Sequence, residues 1–441
     1  MFARFGAVCV MIFLFSPATL FAAEQVTLVD AVKRALVANP AIHSAKASSD
    51  AAEAGRKSAR GAFGPSLSAS YGYSRTIQRS DPPMNTDKTP YGGMFTAVIS
   101  FNQDLFTGFR LLSTYQKAAL QAESQQLNLR LVQLNLVANV QSTFLSYLQA
   151  VDNVRSQRDS LTRLQEQLQI TKASFEVGLR PHLDVLQAEV DVSRAESLLI
   201  AAENSRETYK AQLNILLGLP VTAALEYVGV LSPVPFNTGL ETCLEAAYRQ
   251  RPDLGIAAKA VAIAGKDVKI AQSQYYPQVS AYYDITNIGD NLGLRYAHMD
   301  GYRATRWEVG VMGTWKVFEW GKTFYADQQA RFVESQMRAD EASLKLSAGF
   351  DVKSKLLAVR DAEKLISVAT KGLEQAQEAY KQAQARYKAQ VGTNFDVLDA
   401  SANLAAAETT LIGAKAGYLT ALSALYAAMG ELKPDLGLPG G

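Results

Sequence analysis

The sequence is short of the features that mark several common protein classes. Of its 441 residues only two are cysteine and three are histidine, and the formal net charge is +2. Cys9 lies in the N-terminal apolar stretch, so the exported chain would keep only Cys243, and no intramolecular disulfide is possible. The near-neutral charge gives no basic face, so we expect no nucleic-acid partner. His43, His182 and His298 are far apart in the sequence, so we expect no metal site.

Signatures of catalysis and nucleotide binding are also missing. The sequence has no P-loop, no dinucleotide fingerprint, and no Ser-His-Asp or Cys-His spacing typical of nucleophilic catalysis. We therefore expect no enzyme activity and no cofactor, and a periplasmic enzyme is the weakest of the functional classes considered. Any process that needs energy must then be driven by a partner.

Long apolar runs are confined to the N-terminus. Residues 1–23 predict a secretory signal peptide, with Arg4 before an apolar stretch at 7–15 and cleavage after Ala22 or Ala23. That stretch is well short of the roughly 20 residues that span a bilayer, which disfavours an N-terminal anchor. No later segment approaches 18 consecutive apolar residues, so the sequence predicts no transmembrane helix in the exported chain. Any membrane crossing would have to be made by β-strands.

What the sequence does contain is one pattern written twice, with a period of 212 residues. Each copy has the same order: helix, strand pair, very long helix, turn and long helix. A long period with two copies predicts two pseudo-equivalent halves. We predict repeats over residues 24–218 and 241–430, an irregular connector at 219–240 and a loose tail at 431–441. The recurring positions are Pro40 and Pro252, Pro65 and Pro277, Leu183-Asp184-Val185-Leu186 and Phe395-Asp396-Val397-Leu398, and Gly218 and Gly430.

Four segments alternate apolar and polar residues with a period of two, which predicts four half-exposed strands. In a soluble sandwich the apolar faces would meet in a core, whereas in an outer-membrane barrel they would face lipid. The strands alone leave both alternatives open. The segments lie at 66–77, 95–105, 279–286 and 307–317, and polar loops at 78–90 and 287–303 join them in pairs.

The helical segments favour the barrel. From Phe109 to Val177 the sequence has neither Gly nor Pro, and strong helix formers dominate it. A helix of about 65 residues would be roughly 100 Å long at 1.5 Å per residue. Apolar residues spaced by three and four, alternating with Ala, predict that such rods pack as coiled coils. No compact globular domain needs rods of this length.

Barrel closure sets the number of chains. Four strands cannot close a barrel. A dimer would give an eight-stranded barrel whose interior is filled, and a trimer would give twelve strands with room for a lumen. Two similar halves in each of three chains would approximate six-fold symmetry, which favours the trimer. The predicted fold class is therefore an α+β membrane protein. It is a trimeric 12-stranded outer-membrane β-barrel with four strands per chain, continuing into a long periplasmic α-helical coiled-coil barrel. Such an assembly is an envelope-spanning duct. The alternative is a non-conducting coiled-coil envelope protein, which would not need lipid-facing strands.

These features together resemble the outer-membrane efflux protein family typified by TolC, over essentially the whole exported chain. The resemblance implies a passive outer-membrane exit duct of a tripartite efflux or type I secretion system. It also implies a homotrimer that works with a periplasmic adaptor and an inner-membrane transporter of the RND, ABC or MFS type. The cargo stays open between drugs, metals, siderophores and a secreted polypeptide. The motifs are the paired prolines, Val177-Gly178-Leu179, Val391-Gly392-Thr393, and Tyr387 followed by Asp396-Val397-Leu398-Asp399-Ala400.

The resemblance also implies a closing point at the periplasmic end. Asp396 and Asp399, three residues apart on one helical face, would form a carboxylate ring that attracts cations. The alternative for Asp396 is that it only stabilises the helix N-terminus. Asp184 and Tyr387 would belong to a polar network that holds the end shut.

The basic residue of that network aligns with Gly392, so the closing bridge must differ in this chain. Arg180, Arg386 and Lys388 are candidates to replace it. The two turns would be tips where the adaptor docks, or their glycines would only make the turn. The implied docking residues are Val177, Gly178, Leu179, Val391, Gly392 and Thr393.

Overall fold

The chain folds as two copies of one series of elements. The computed structural model describes residues 25–75, 93–295 and 304–436, so the predicted signal peptide, the whole loop at 78–90 and residues 296–303 of the second loop lie outside the described residues. The first copy consists of β1 (Gln25–Val26), α1 (Leu28–Ala38), α2 (Pro40–Gly61), β2 (Ser66–Arg75), β3 (Gly93–Phe106), α3 (Arg110–Glu176) and α4 (His182–Leu216), and the short strand β4 (Glu226–Tyr227) follows in the connector. The second consists of α5 (Leu240–Gln250), α6 (Pro252–Gln272), a 3-10 turn (Ser273–Tyr275), β5 (Gln278–Gly289), β6 (Ala304–Thr314), α7 (Lys322–Lys388) and α8 (Asn394–Met429).

Proline divides the first helix of each copy in two, where one helix was expected. Pro40 and Pro252 each lack a backbone N–H and take the first position of a new helix. The breaks are bonded in the same way although their residues differ. Asn39 Nδ2 donates to the Leu216 carbonyl at 2.8 Å. Arg251, the counterpart of Asn39 in the second copy, donates from Nη1 to the Ala428 carbonyl at 3.2 Å. In each copy, a side chain next to the proline break therefore caps the C-terminal end of the last helix, α4 or α8.

The four strands form one antiparallel sheet in the order β2-β3-β5-β6, so the two copies meet where β3 pairs with β5. The register aligns the apolar residues of all four strands on one face, as in the row Leu67, Phe101, Tyr283 and Val309. All four of these side chains are exposed, at 74% for Leu67 and 67% for Val309. In a soluble β-sandwich these apolar side chains would be buried in a core, so their exposure does not fit that fold.

Most strand boundaries differ from the predicted ones by one to three residues, and two of the differences change the prediction for the neighbouring segment. Strand β5 continues to Gly289, so the predicted loop at 287–303 begins later than expected. Strand β6 ends at Thr314, so Trp315 and Val317 lie beyond it despite the alternation. The chain turns away from the sheet there, because it must enter α7 only a few residues later.

Two successive left-handed residues join the sheet to the long helix in both copies. Gly108 and Phe109 have φ values of +60° and +67°, and Trp320 and Gly321 have values of +52° and +80°. The two pairs occupy equivalent positions of the repeat, and in each pair one residue is glycine, which adopts this conformation readily. The backbone conformation of the junction is therefore repeated although the order of the residues is reversed.

The long helices pack side by side and enclose a core halfway along their length. Helix α3 lies against α4 and α8, and α7 lies against α8. Helix α1 packs on α3, and helix α5 packs on α7 and α8. Their apolar side chains join one core with those of the long helices, in which Phe144, Leu213 and Tyr418 are almost fully buried. Helix α8 is the one described helix long and apolar enough to cross a membrane by length and composition. Its packing against α3 and α7 accounts for that composition.

The connector at 219–240 is more ordered than its composition indicates. Within it, β4 (Glu226–Tyr227) pairs in parallel with β1 (Gln25–Val26), an element too short for periodicity to predict. Tyr227 is buried and donates from Oη to Asn214 Oδ1 at 2.7 Å. Burial raises the pKa of Tyr227 to about 12, so the phenol stays protonated as this bond requires.

The prediction of a loose tail is wrong for residues 431–436. Leu436 is buried at 1% exposure, and Gln141 Nε2 donates to the Lys433 carbonyl at 2.6 Å. The Lys433 ammonium lies 4.3 Å from the centre of the Tyr426 ring. These contacts hold a Gly- and Pro-rich segment that has no periodicity of its own. Residues 437–441 lie outside the described residues.

Candidate functional site

The two reversals between long helices form the tips of the chain. In the first, Gly178 takes the left-handed conformation with φ of +76°. In the second, Gln390 takes it with φ of +63°, and Gly392 does not, so the expectation that glycine makes both turns is wrong. Gly392 instead lies close to the end of helix α7, where a side chain would be tightly packed. An added Cβ would lie 3.1 Å from Arg386 Cβ and 3.2 Å from the Tyr387 nitrogen.

The apolar residues of both tips point into solvent. Val177 and Val391 are each 69% exposed and Leu179 is 58% exposed. Thr393 is also exposed, but its side chain and backbone cap helix α8. The structure therefore places the predicted docking residues on the surface, with Gly392 as the buried exception.

Arg180 is the basic candidate that contacts the second tip. Its Nη2 donates to the Gly392 carbonyl at 2.8 Å, and its guanidinium carbon lies 4.7 Å from the centre of the Tyr387 ring. Stacking of this kind is a cation–π interaction, for which Arg is well suited. Of the three basic candidates, the structure thus brings Arg180 onto the predicted network, while Arg386 and Lys388 are exposed.

The predicted pair Asp184 and Tyr387 contributes in an unexpected way. Tyr387 is buried, and its Oη lies 3.4 Å from Thr171 Oγ1 on α3. Asp184 takes part through its backbone carbonyl, which accepts from Asn394 Nδ2 at 3.1 Å. Among the described residues, no hydrogen bond joins the Asp184 carboxylate to Tyr387.

A neutral buried network behind the tips was not predicted from the sequence. Asn394 Oδ1 accepts from Gln167 Nε2 at 2.9 Å and from Thr171 Oγ1 at 3.2 Å. All three residues are at most 3% exposed. With the Asp184 carbonyl and Tyr387, they connect α3, α4, α7 and α8. One feature of the sequence could have revealed this network. Gln167 and Thr171 continue the spacing of three and four residues that the buried apolar residues of α3 follow.

The two predicted ring carboxylates have different surroundings. Asp396 Oδ2 accepts from the Thr393 backbone N–H at 2.9 Å, and the Thr393 hydroxyl accepts from the Asp396 N–H at 3.2 Å. This capping box holds the pKa of the Asp396 carboxyl below its usual range. Asp399 accepts from Asn403 Nδ2 at 3.0 Å. Both carboxylates lie on the exposed side of α8.

Asp399 also lines a groove of about 900 Å³ between α4 and α8, with α3 as its floor. Its walls are equivalent faces of the two copies, because wall residues on α4 have their counterparts at the equivalent positions of α8. The wall pairs are Leu183 and Phe395, Leu186 and Leu398, Gln187 and Asp399, and Val190 and Ala402.

Comparison with known proteins decides the family. The model of the outer membrane efflux protein family matches residues 31–219 and 243–431. The chain belongs to the outer membrane efflux protein family. The outer membrane protein TolC of Vibrio cholerae is 26% identical over 404 residues, covering 89% of this chain and 88% of its own length. The outer membrane efflux protein BepC of Brucella suis is 26% identical, covering 95% of this chain and 88% of its own length.

Solved structures share the fold. The CmeC outer membrane channel of Campylobacter jejuni superposes with a TM-score of 0.81 at 18% identity, covering 91% of this chain and 85% of CmeC. VceC of Vibrio cholerae gives a TM-score of 0.78 at 17% identity, covering 92% of this chain and 96% of VceC. The predicted fold class and family are confirmed.

Membership also confirms the predicted function and location. The chain is an outer-membrane exit duct of an efflux system and extends into the periplasm. The alternative of a non-conducting envelope rod is not favoured. Proteins of this family are ducts of efflux systems.

Proposed function

We propose that three copies of this chain form one continuous duct, closed at its periplasmic tips and opened by partner proteins. The observation that carries the proposal is the four-stranded sheet, whose edges β2 and β6 have no further partner among the described strands. Unpaired edges beside an exposed apolar face are stable in a membrane only when the sheet closes. Three sheets supply twelve strands, enough for a lumen.

The long helix α7 supports the same assembly. A single chain leaves exposed a series of large apolar side chains along this helix, at spacings typical of coiled-coil contacts. Packing of α7 on a neighbouring copy would bury them and extend the ring of strands into a ring of helices. The side chains are Phe332, Leu346, Phe350, Leu357, Leu365 and Val368.

At the periplasmic end, Asp396 and Asp399 of three chains supply six carboxylates to one aperture. A ring of carboxylates favours cations and gives a site for divalent ions. The Asp396 cap does not exclude this role, because the cap bond occupies Oδ2 and leaves Oδ1 available. Arg180, Tyr387 and the neutral network around Asn394 hold the helices of each tip together, and so support the closed state.

The tips are also the proposed contact with a periplasmic adaptor. Val177, Leu179 and Val391 form small apolar patches at the end of the tube, where a helical partner can dock end-on. An inner-membrane transporter of the RND, ABC or MFS type supplies the energy and selects the cargo. We propose small molecules as that cargo, because relatives are named for toluene efflux and pyoverdine export.

Single-channel conductance of the purified oligomer in planar bilayers tests this proposal. The wild type is compared with Asp396→Asn/Asp399→Asn, with and without millimolar divalent cations, after cross-linking has counted the subunits. We expect a trimer with small cation-selective steps that divalent ions block, and loss of both selectivity and block in the double variant. A membrane-inserted oligomer that never conducts, or one that is not a trimer, would refute it.

A further inference from the structure

We propose that the groove between α4 and α8 is a binding site for an amphiphilic monocation, a molecule with an apolar body and one amine. The inference rests on the proposed function, because that function turns Asp399, and with it the groove, toward the lumen. It goes further in giving the duct a specific contact with its cargo.

The size and lining of the groove match a small-molecule site. Its volume of about 900 Å³ falls within the range of roughly 300–1,000 Å³ for such pockets. Leu183, Leu186 and Val190 form one wall, and Phe395 and Leu398 begin the other. Further along α8 the wall consists of small residues such as Ala402, which leave the space open. An apolar body would be removed from water along both walls.

The charge of the groove favours a cation. Asp191 and Arg194 also line it, but they form an ion pair with each other at 3.1 Å. Asp399 has no basic partner among the described residues, and its carboxylate accepts only from the neutral Asn403 amide, at 3.0 Å. The equivalent residue on the opposite wall is the neutral Gln187. The groove therefore carries one uncompensated negative charge, close to its periplasmic end.

The two walls of the groove are related by the repeat, but its two ends differ in charge. Equivalent residues face each other across the groove, but only the α8 wall carries a carboxylate at the level of Asp399 and Gln187. The amine of a bound molecule would lie at this level, and its apolar body would extend along the helices away from the tip. A neutral apolar molecule would use the same walls without the charged contact.

The binding test uses monodansylcadaverine, a fluorescent dye with an apolar dansyl body and one primary ammonium group, titrated onto the full-length protein in lipid nanodiscs and followed by anisotropy. We expect saturable binding of one dye per subunit above the background of empty nanodiscs. Asp399→Asn should weaken it about fivefold, the factor for loss of one partly exposed ion pair. Ala402→Phe should abolish it by filling the groove. Asp159→Asn, an equal charge change beside the floor residue Ser160 but outside the groove, should leave it unchanged.

Two further measurements address the role of charge and the accessibility of the groove. The first asks whether a neutral probe depends on Asp399, and the second asks whether a second copy of the chain covers the groove. The neutral probe N-phenyl-1-naphthylamine should respond to Ala402→Phe and not to Asp399→Asn. Val190→Cys should react with a fluorescent maleimide in the assembled protein, where the native Cys243 is buried and silent. An unreactive Val190→Cys means that a second copy covers the groove, and overturns the proposal.

Equal dye affinity in all variants also overturns it, because the dye then binds elsewhere. Circular dichroism and the subunit count of each variant exclude misfolding as the cause of lost binding. The conductance assay keeps the two proposals distinguishable. A trimer that conducts but does not bind dye in the groove refutes this inference alone, whereas a trimer that does not conduct refutes the proposed duct.

Discussion

Arg180 and Gly392 occupy the same position in the two copies of the repeat, and they touch each other. The Arg180 guanidinium donates to the Gly392 carbonyl at 2.8 Å while it stacks on Tyr387. A side chain at position 392 would place its Cβ 3.1 Å from Arg386 Cβ and 3.2 Å from the Tyr387 nitrogen, which is a tight contact. The basic residue that binds across the two tips thus comes from the first copy, and the carbonyl that accepts its hydrogen bond comes from the second.

Removal of Arg180 should loosen the closed tip. Arg180→Ala loses one charge-assisted hydrogen bond and one cation–π contact, together about 2 kcal/mol at a half-buried site. We expect the open probability of single channels to rise by roughly tenfold or more, because 1.4 kcal/mol corresponds to a factor of ten. Arg386→Ala removes an equal charge from an exposed position and should change little. Equal open probability in both variants would show that Arg180 does not hold the tip.

Loss of Asn394 should destabilise the tip from inside. Asn394→Ala leaves the buried Gln167 amide without its acceptor, whereas the Thr171 hydroxyl keeps the Gln167 carbonyl as an acceptor at 2.9 Å. We expect a cost of about 1–3 kcal/mol for the unsatisfied amide. The exposed amide Asn403 is the control, and Asn403→Ala should cost less than about 0.5 kcal/mol. Thermal unfolding and hydrogen exchange of the tip peptides would measure both. A joint replacement, Gln167→Leu/Thr171→Val/Asn394→Leu, should cost less than Asn394→Ala alone if satisfaction of these groups is what matters.

The N-terminal cap of α8 should fail in acid. The pKa of Asp396 in the folded chain lies below its ordinary value of 3.8, chiefly because the ionised carboxylate accepts the Thr393 backbone bond. A lowered pKa means that the cap stabilises the helix above about pH 3.8 and is lost as the pH falls through the folded value. Pepsin cleavage near Phe395, followed from pH 4 to pH 2, should therefore accelerate beyond the change in the enzyme's own activity.

Two variants make the acid test specific to the cap. Asp396→Asn cannot ionise, so its cleavage should be fast throughout and lose the acceleration. Asp399→Asn leaves the capping box intact and should keep the wild-type profile. A wild-type profile in Asp396→Asn would mean that another group controls the acid response.

The left-handed residues of the two tips provide a matched pair. Gly178 has φ of +76° with nothing within 4 Å of an added Cβ, so Gly178→Ala should destabilise through backbone strain alone, by about 1 kcal/mol. Gln390 occupies the equivalent position with φ of +63°, so Gln390→Gly should stabilise by a similar or smaller amount. Opposite shifts of the unfolding temperature are expected, and shifts in the same direction would contradict the strain assignment.

Much of the fold was predictable because its signals are long or repeated. The fixed period of the two copies, the absence of Gly and Pro from 109–177, and the alternation in four strands each extend over many positions. Short features lacked such redundancy. Strand β1 consists of Gln25 and Val26 alone and pairs with β4 in the connector between the copies, so no local pattern could reveal it. The burial of Leu436 likewise depends on a surface that other segments build.

At the tips, chemistry was easier to predict than contacts. The resemblance drew attention to Tyr387, Asp184 and the displaced basic residue, but three arginine and lysine candidates remained equal in the sequence. Geometry alone selects Arg180, because it depends on how the two reversals face each other. Asn394 and Thr171 were not predicted, since polar residues on a helix are usually solvated, and only the packing of α3 on α8 buries these two.

The paired left-handed residues at 108–109 and 320–321 have a mechanical consequence. In both copies the two residues immediately before the long helix have the same unusual dihedral angles, which set the direction in which the helix leaves the end of the sheet. We expect a push or twist applied at the tip to travel along about 100 Å of helix and to reach the strands through these two positions. In a trimer six such pairs would share the force, so the membrane end would resist the strain that opens the far end.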